Sequence, residues 1–377
     1  MTNPLDLLGR PKTDPTSIYR YRDGHYATDL LTAAISHFDF FTWLNEHPSD
    51  LAGICNGLEI QPRPADVMLT LFTAMGLIRA ELPESDGDQR TSSPSPQPSP
   101  QGEGETTETN SDPNLRVFGL TELAREHLVG SSAWNIGPYF DSIKERPVCR
   151  DMVTVLRTGR PANWASLKNE KEWAKAMETD AFAKQFTAAM DARGVYLGPA
   201  MAERLDCKRH RHLLDIAGGS GIYSCVIVAR HPHLRATVFE KSPVDKITAK
   251  SLAARGLADR INVHTGDMFT DAFPDGCDVH LYSNVLHDWD VERVEGLLKK
   301  SFAALPPGGM IVIHDAHVNA DKTGPLAVAA YSALLMNITE GKCYSVKEME
   351  DLLDGAGFSG VSYIPTAADR SVVVARR

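Results

Sequence analysis

Four short segments in the second half of the chain carry side chains that could bind a ligand and move a proton. In chain order they are the glycine-rich turn 215–221, Glu240, the pair Asp267 and Met268, and His287. Each follows an apolar run typical of a buried strand, so each is predicted at the carboxyl end of a strand. In a parallel sheet those ends meet at one edge, where α/β folds bind their ligands.

The glycine-rich turn and the acid that follows it have the spacing of a nucleoside site. The turn reads Asp-x-x-Gly-Gly-x-Gly, and glycine lets a backbone turn tightly and approach a ligand closely. Glu240 follows Gly221 by 19 residues, and a carboxylate at about that distance can accept hydrogen bonds from both ribose hydroxyls. NAD sites share this layout, but a dinucleotide pattern begun at Gly219 would need its third glycine at Ser224. This departure disfavours a dinucleotide.

Asp267, Met268 and Phe269 offer the contacts that an adenine ring needs. The Asp267 carboxylate can accept a hydrogen bond from an exocyclic amine, and the two apolar side chains can form a slot for a flat ring. The alternative is that Met268 and Phe269 are core residues at the end of a strand, which is the commoner fate of such side chains. The position of Asp267 at the predicted ligand edge favours the adenine site.

His287 has the chemistry of a general base. A phenol has a pKa of about 10 and is mostly protonated at neutral pH, whereas an imidazole with a pKa of about 6.5 can accept its proton. His287 is one of 13 histidines, and a lone histidine is more often a structural residue. Its position in His287-Asp288-Trp289, beside the predicted ligand edge, favours the catalytic role.

Residues 215–358 resemble the plant-type, or family 2, small-molecule O-methyltransferases. The matching segments are the glycine-rich turn, Glu240 and residues 266–269, 287–289, 307–313, 341–342 and 348–352. The resemblance extends over essentially the whole chain and implies an α/β fold. It consists of a Rossmann-like class I methyltransferase domain preceded by an N-terminal, mostly helical winged-helix domain that dimerises the enzyme. The implied cofactor is S-adenosyl-L-methionine, and the implied substrate is a hydroxyl of a small, aromatic or phenolic molecule.

The resemblance also implies roles for individual residues. His287 falls on the catalytic base, and Asp315 falls on the carboxylate that orients it. The residues implied to bind the cofactor are Asp215, Ala217, Gly218, Gly219, Gly221, Glu240, Asp267, Met268 and Ser283. The implied substrate contacts are Met190, Asn337 and Cys343, with Tyr139, Trp164, Asp191, Tyr331 and Leu334 as weaker candidates. No residue is predicted to bind a metal.

Three positions depart from the family pattern. Ala217 replaces the first glycine of the turn, and Ser283 stands where plant members have a lysine near the cofactor. Cys343 replaces a second acid that usually follows the Gly-Lys pair. A thiol is anionic at neutral pH only if its pKa is depressed. Cys343 therefore keeps open an alternative function, in which the protein binds the cofactor but catalyses decarboxylation or hydroxylation.

The N-terminal part, residues 14–180, is predicted to form a helical domain ahead of a catalytic domain at 181–377. Apolar residues at helical spacing occur in 26–44 and 65–78, and a strand-like run follows at 115–118. Helix, helix and hairpin is winged-helix order, so a DNA-binding regulatory protein that senses the cofactor is an alternative. The second helix is almost wholly apolar, which favours burial against a partner subunit over contact with phosphates.

A segment rich in proline and serine interrupts the predicted hairpin at 84–114. It contains no large apolar residue, so it is predicted to be disordered because burial cannot offset its ordering entropy. A ligand motif for a partner protein is one interpretation. A neutral insertion at the tip of the wing is favoured, because added loop length costs little stability.

The composition disfavours several other classes of protein. The formal charge of -10 disfavours a nucleic-acid surface, which is normally basic. No apolar run approaches the roughly 20 residues that span a bilayer, and the N-terminus lacks the basic and apolar regions of a signal peptide. The six cysteines include no Cys-x-x-Cys pair, which indicates reduced thiols and a cytoplasmic enzyme.

Overall fold

A computed structural model of the chain describes residues 7–81, 116–162 and 180–377. The proline- and serine-rich segment 84–114 and the candidate substrate contact Trp164 lie outside the described residues. Within them, the first part of the chain forms short helices around one β-hairpin. The helices before the hairpin are α1 (Thr16–Asp23), α2 (Ala27–Ser36), α3 (Phe40–Glu46), α4 (Leu51–Leu58) and α5 (Pro62–Ala74).

The hairpin and three further helices complete this first part. Strands β1 (Ile78–Glu81) and β2 (Val117–Leu120) pair antiparallel. They are followed by α6 (Glu122–Leu128), α7 (Gly137–Asp141) and α8 (Pro147–Thr158). The hairpin directly follows α5, but α4, which lies between the two predicted helical segments, was not predicted.

Two predicted helices differ from the observed ones. The pattern over 26–44 predicts a single helix, but Asp39 adopts a left-handed conformation with φ of 44° and separates α2 from α3. The pattern over 65–78 predicts a helix to residue 78, but α5 ends at Ala74 and Ile78 begins β1. In both segments the apolar residues pack into the core, but from two successive elements and not from one helix.

Helix α5 is held against the second half of the chain. Arg63, in its first turn, donates hydrogen bonds to the carbonyl groups of Met336 and Gly341 over 3.2 and 2.8 Å. One turn later, the Asp66 carboxylate forms ion pairs with Lys322 and Lys342 at 2.7 and 2.5 Å. These contacts engage Arg63, the cation that a DNA-recognition helix would present to phosphates, and Asp66 is an acid that phosphates would repel, which argues against the regulatory alternative.

Strands β3 to β9 form one mixed sheet. They are β3 (His212–Ile216), β4 (Arg235–Glu240), β5 (Ile261–Thr265), β6 (Val279–Ser283), β7 (Met310–Asp315), β8 (Ser359–Pro365) and β9 (Ser371–Arg376). Their order across the sheet is β5-β4-β3-β6-β7-β9-β8, with β3 to β7 parallel and β9 antiparallel to both of its neighbours. The predicted α/β, Rossmann-like fold class is confirmed.

Helices cover both faces of the sheet. They are α9 (Asp180–Ala202), α10 (Ile222–Arg230), α11 (Val244–Ala254), α12 (Val291–Ala304), α13 (Leu326–Ile338) and α14 (Val346–Ala356). The first three pack against one face, and α12 and α14 pack against the other. The strands are therefore apolar on both sides, as in other buried parallel sheets. Helix α13 instead shares a core with the N-terminal helices.

The carboxyl ends of the parallel strands bring the predicted site segments to one edge of the sheet. The glycine-rich turn follows β3, Glu240 ends β4, and Asp267 follows β5. His287 lies in a short 3-10 turn after β6, and Asp315 ends β7. None of the helices described here is both long enough and apolar enough to cross a membrane.

Candidate active site

The glycine-rich turn after β3 holds its backbone in conformations that favour small residues. Ala217, Gly219 and Gly221 have φ of 53°, 57° and 74°. A left-handed conformation costs a residue with a Cβ about 1–2 kcal/mol, so Ala217 is strained where the family has glycine. A Cβ on Gly218 would lie 2.6 Å from Asp215 Cγ. Gly218 is therefore required by close packing inside the turn.

The Glu240 carboxylate is fixed against this turn by two backbone amides. Gly219 N donates to Oε2 over 2.9 Å, and Lys241 N donates to Oε1 over 2.8 Å. Burial raises the pKa of Glu240 to about 7, although both amides act in the opposite direction. Each oxygen keeps a further lone pair, so the carboxylate can still accept hydrogen bonds from a ligand.

Asp215 is the buried acid of the turn. Its Oδ2 accepts a hydrogen bond from Ser224 Oγ over 2.7 Å, whereas Oδ1 is buried with no hydrogen-bond partner among the described residues. Burial raises the pKa of this carboxyl group to about 6. The serine that departs from the dinucleotide pattern thus supports Asp215. A ligand donor that reached Oδ1 would complete its hydrogen bonding.

Asp267 and Met268 begin the segment after β5. Asp267 accepts a hydrogen bond from Phe269 N over 2.9 Å and pairs with Lys241 Nζ at 3.0 Å. Partial burial raises the pKa of Asp267, but these two contacts outweigh it, so the pKa lies below its usual value. Met268 is partly buried, while Phe269 is exposed, with its ring centroid 4.7 Å from that of Trp289. The two apolar side chains therefore differ in environment.

Ser283, at the end of β6, does not replace the charge of the family's lysine. Its Oγ lies 2.8 Å from His314 Nδ1. The neighbouring Asn284, which sequence reasoning missed, has φ of 55° and donates from Nδ2 to Tyr223 OH over 3.2 Å. Its Oδ1 is buried without a hydrogen-bond partner in the described chain. The one indication of Asn284 in the sequence was its place next to Ser283, a predicted cofactor-binding residue.

His287 and Asp315 are both buried and in direct contact. His287 Nδ1 lies 2.6 Å from Asp315 Oδ1, which also accepts a hydrogen bond from Ala316 N over 2.8 Å. The carboxylate accepts, so Nδ1 carries the proton and Nε2 keeps its lone pair. Burial raises the pKa of Asp315, but His287 outweighs it and holds that pKa well below the usual range. The pair is thus a carboxylate beside an imidazole.

A second carboxylate approaches the same imidazole. Asp288 Oδ1 lies 3.4 Å from His287 Nε2, on the side away from Asp315. Burial lowers the pKa of His287, as does the charge of Arg193 to a smaller degree. The two carboxylates outweigh both, so this pKa lies above its usual value. Asp288 belongs to the His-Asp-Trp motif, but the approach of its carboxylate to His287 Nε2 was not predicted.

Cys343 lies close to this centre without acting as a second acid. It is buried, its amide donates to Ser332 Oγ over 3.1 Å, and burial raises the pKa of its thiol well above the usual value. The thiol is therefore neutral at physiological pH. Two residues earlier, a Cβ on Gly341 would lie 2.1 Å from the His287 carbonyl oxygen. The loop that carries Cys343 thus needs glycine where it passes His287.

The predicted substrate contacts divide into two groups. Tyr331 lies beside His287, with the two ring centroids 5.8 Å apart at an interplanar angle of 90°. Asn337 is buried and its Oδ1 has no hydrogen-bond partner among the described residues. Asp191 instead binds Ser220 and Arg255, and Tyr139 is 79% exposed. Neither Asp191 nor Tyr139 lies beside His287.

Two further candidates, Met190 and Leu334, are helical residues. Met190 is partly buried on α9, and Leu334 is buried on α13. The structure also places Arg193, which the sequence analysis missed, next to Tyr331: Nη1 donates to Tyr331 OH over 3.3 Å. Nothing in the sequence around Arg193 marks it, because its partner is 138 residues away.

Comparison with known proteins decides the family. A profile of the O-methyltransferase domain matches residues 150–359. The chain belongs to the O-methyltransferase family. It is an S-adenosyl-L-methionine-dependent O-methyltransferase, as the resemblance implied.

Individual relatives of this methyltransferase span nearly all of the chain. It is 27% identical to 3-hydroxy-5-methyl-1-naphthoate 3-O-methyltransferase of Streptomyces sahachiroi, over 94% of this chain and 92% of that protein. It is similar to the crystal structure of an O-methyltransferase family 2 protein from Planctomyces limnophilus in complex with apigenin. The TM-score is 0.80 at 31% identity, covering 99% of this chain and 98% of the other. It is also 34% identical to aclacinomycin 10-hydroxylase RdmB of Streptomyces purpurascens, over 55% of each chain.

The residues at the carboxyl edge of the sheet fit the cofactor of this methyltransferase. Asp215 Oδ1 and Asn284 Oδ1 are buried acceptors that lack donors among the described residues, and Glu240 retains lone pairs toward the same edge. The cofactor carries an amine, ribose hydroxyls and an adenine amine, which are donors of the required kind. Within residues 7–81, 116–162 and 180–377, no group of three or more His, Cys, Asp or Glu residues could hold a metal ion.

Proposed function

We propose that this enzyme methylates a hydroxyl group of a small aromatic, phenolic molecule, with His287 as the general base. The observation that carries the proposal is the buried pair of His287 Nδ1 and Asp315 Oδ1, 2.6 Å apart, at the carboxyl edge of the sheet. Relatives that act on a hydroxynaphthoate or bind apigenin support an aromatic acceptor.

The pair would act by holding one tautomer of the imidazole. Asp315 accepts a hydrogen bond from the Nδ1 proton, so the lone pair of Nε2 can take the proton of an acceptor hydroxyl. S-adenosyl-L-methionine, when bound, supplies the electrophilic methyl group on its sulfonium sulfur. The acceptor oxygen would replace sulfur on that carbon, and S-adenosylhomocysteine would leave with the electron pair of the broken S–C bond. Nε2 would take the proton of the hydroxyl, and Asp315 and Asp288 would stabilise the imidazolium that results.

The cofactor would be held by the residues at the ends of β3 to β6. Glu240 would bind the ribose hydroxyls, and Asp267 with Met268 would flank the adenine. Asp215, Ala217, Gly218, Gly219, Gly221 and Ser283 would line the rest of the cofactor site. Met190, Asn337 and Cys343 would contact the acceptor, Cys343 as a neutral side chain.

The domain organisation forms part of the same proposal. Residues 14–180 would dimerise the enzyme, and residues 181–377 would form the methyltransferase domain. Large apolar side chains are exposed in the first region: Tyr21 is 84%, Trp134 69% and Leu123 53% exposed. Light scattering at micromolar concentration tests the dimer. Cytoplasmic localisation stays a prediction from cysteine usage.

A second candidate function rests on Cys343 and on the similarity to a hydroxylase. An enzyme that lacks the second acid and resembles RdmB over half its length could retain the cofactor for decarboxylation or hydroxylation. One experiment separates the two functions. The protein is incubated with S-adenosyl-L-methionine and a panel of phenols, catechols and hydroxynaphthalenes. O-methylated product and S-adenosylhomocysteine in equal amounts support O-methyl transfer, whereas product formed without S-adenosylhomocysteine supports the alternative.

A further inference from the structure

Helix α9 presents two different sides to the active centre. On one side Asp191 accepts a hydrogen bond from Ser220 of the glycine-rich turn over 2.5 Å, and a Cβ on Gly194 would lie 2.3 Å from Ile222 Cγ2. Arg193 is two residues from Asp191, about 200° around the helix by the α-helical period. Its guanidinium contacts Tyr331 of α13 instead. Arg193 therefore contacts Tyr331, beside His287, from a different side of α9 than the one that carries Asp191.

The Arg193 guanidinium has one side-chain hydrogen-bond partner within the described residues. Nη1 donates to the neutral Tyr331 hydroxyl, and Nε is buried without any acceptor in the described chain. Within the same parts of the chain, no carboxylate oxygen lies within 4.0 Å of an Arg193 side-chain nitrogen, the distance that defines an ion pair. Buried donors are nearly always hydrogen-bonded, so an arginine in this state is suited to an acidic ligand.

Two arginine side chains contact Tyr331, and only one of them forms an ion pair within the described residues. Arg370 lies over the Tyr331 ring, 4.5 Å from its centroid, but it already binds the Asp23 carboxylate over 2.8 Å. Asp23 thus pairs directly with Arg370 and not with Arg193. The Tyr331 ring in turn contacts His287 edge-on. The Arg193 guanidinium therefore lies one aromatic side chain away from His287.

We propose that Arg193 binds a carboxylate of the acceptor, so that the preferred substrate is an aromatic hydroxy acid. A guanidinium can hold a carboxylate through two parallel hydrogen bonds, which fixes both position and orientation. The acceptor ring would then lie between Arg193 and His287, with its hydroxyl toward Nε2. This inference deepens and rests on the proposed function, and a relative that acts on a naphthoate agrees with it.

The test compares acceptors that differ only in the carboxylate, 3-hydroxy-2-naphthoate with 2-naphthol and salicylate with phenol. The proteins are the wild type, Arg193→Met, Arg193→Lys and the control Lys184→Met, which removes an exposed cation from the same helix. The wild type is expected to prefer the hydroxy acids. Arg193→Met should lower kcat/KM for them by about 10- to 100-fold, the usual effect of losing a charged hydrogen bond. It should change kcat/KM for the neutral acceptors by less than about threefold. Arg193→Lys should have an intermediate effect on the hydroxy acids, because lysine cannot form two parallel hydrogen bonds.

Calorimetry separates this inference from methyl transfer itself. The same acceptors are titrated into protein saturated with S-adenosylhomocysteine, and thermal unfolding confirms that each variant folds. If the wild type binds the hydroxy acids more tightly and Arg193→Met abolishes that preference, the inference holds even without turnover. Equal losses on both acceptor types, or no preference in the wild type, would overturn it. A weaker affinity for S-adenosylhomocysteine in Arg193→Met would also overturn it, because Arg193 would then bind the cofactor's carboxylate.

Discussion

Replacing Glu240 with alanine should weaken cofactor binding by a predictable amount. The substitution removes the acceptor of two backbone amides, Gly219 N at 2.9 Å and Lys241 N at 2.8 Å, together with the acceptor proposed for the ribose. A hydrogen bond to a charged group contributes about 1.5–3 kcal/mol. The dissociation constant of S-adenosylhomocysteine should therefore rise about 10- to 150-fold.

The pH dependence of the same constant gives a second check. Burial raises the pKa of Glu240 to about 7, so the group is protonated in the free protein at pH 6 and ionised at pH 8. The ionised form accepts from both hydroxyls, so affinity should increase as the pH rises through 7 and Glu240→Ala should lose this increase. For stability the sign is opposite. The native state binds a proton that the unfolded chain releases at lower pH, so this group's contribution declines as the pH rises toward 7.

Isothermal titration calorimetry between pH 6 and pH 8 measures both effects. Glu295→Ala is the matched control, because Glu295 is a partly exposed glutamate on α12 whose ion pair within the described residues is with Lys299. Unchanged affinity in Glu240→Ala would remove Glu240 from the ribose site. An equal loss in the control would show that the effect is not local.

Two further predictions concern stability. Asp66→Ala should lower the free energy of unfolding by about 1.5–3 kcal/mol in urea titrations, because it removes one of the two carboxylates, Asp66 and Glu348, that Lys322 and Lys342 share. The pKa of Asp66 is lowered by these lysines against the effect of burial, so its stabilisation is present above the unfolded pKa of about 4 and is lost as the pH falls further. An unchanged midpoint would show that the network is not stabilising. Deleting residues 85–111 should leave the melting temperature within a few degrees and the oligomeric state unchanged, since the segment has no large apolar side chain. A larger loss, or a monomer in light scattering, would contradict that prediction.

The sequence predicted the fold and the position of the base for the same reason. Glu240, Asp267, His287 and Asp315 each follow an apolar strand, and parallel strands carry such residues to a common edge wherever the intervening helices lie. The pairing of His287 with Asp315 was instead implied by the family resemblance, and the structure brings His287 Nδ1 and Asp315 Oδ1 to 2.6 Å.

Contacts between distant helices could not be predicted in this way. Arg193 and Tyr331 meet because α9 and α13 converge on the site, and no local pattern specifies that approach. The network of Asp66 with Lys322 and Lys342 joins segments more than 250 residues apart. The break between α2 and α3 was missed because Asp39, and not glycine, takes the left-handed conformation.

The pH dependence of turnover in the wild type and in His287→Ala tests the central proposal most directly. Because the pKa of His287 lies above its usual value, wild-type activity should rise with pH through a point above about 6.5, where the imidazole becomes neutral. His287→Ala should lose that rise and about 10²–10⁴-fold of turnover, while its affinity for S-adenosylhomocysteine stays the same. The loss should shrink for phenols that are already ionised at the assay pH, and Asp315→Asn should cost less than His287→Ala. Wild-type turnover by His287→Ala on every acceptor would contradict the proposed mechanism.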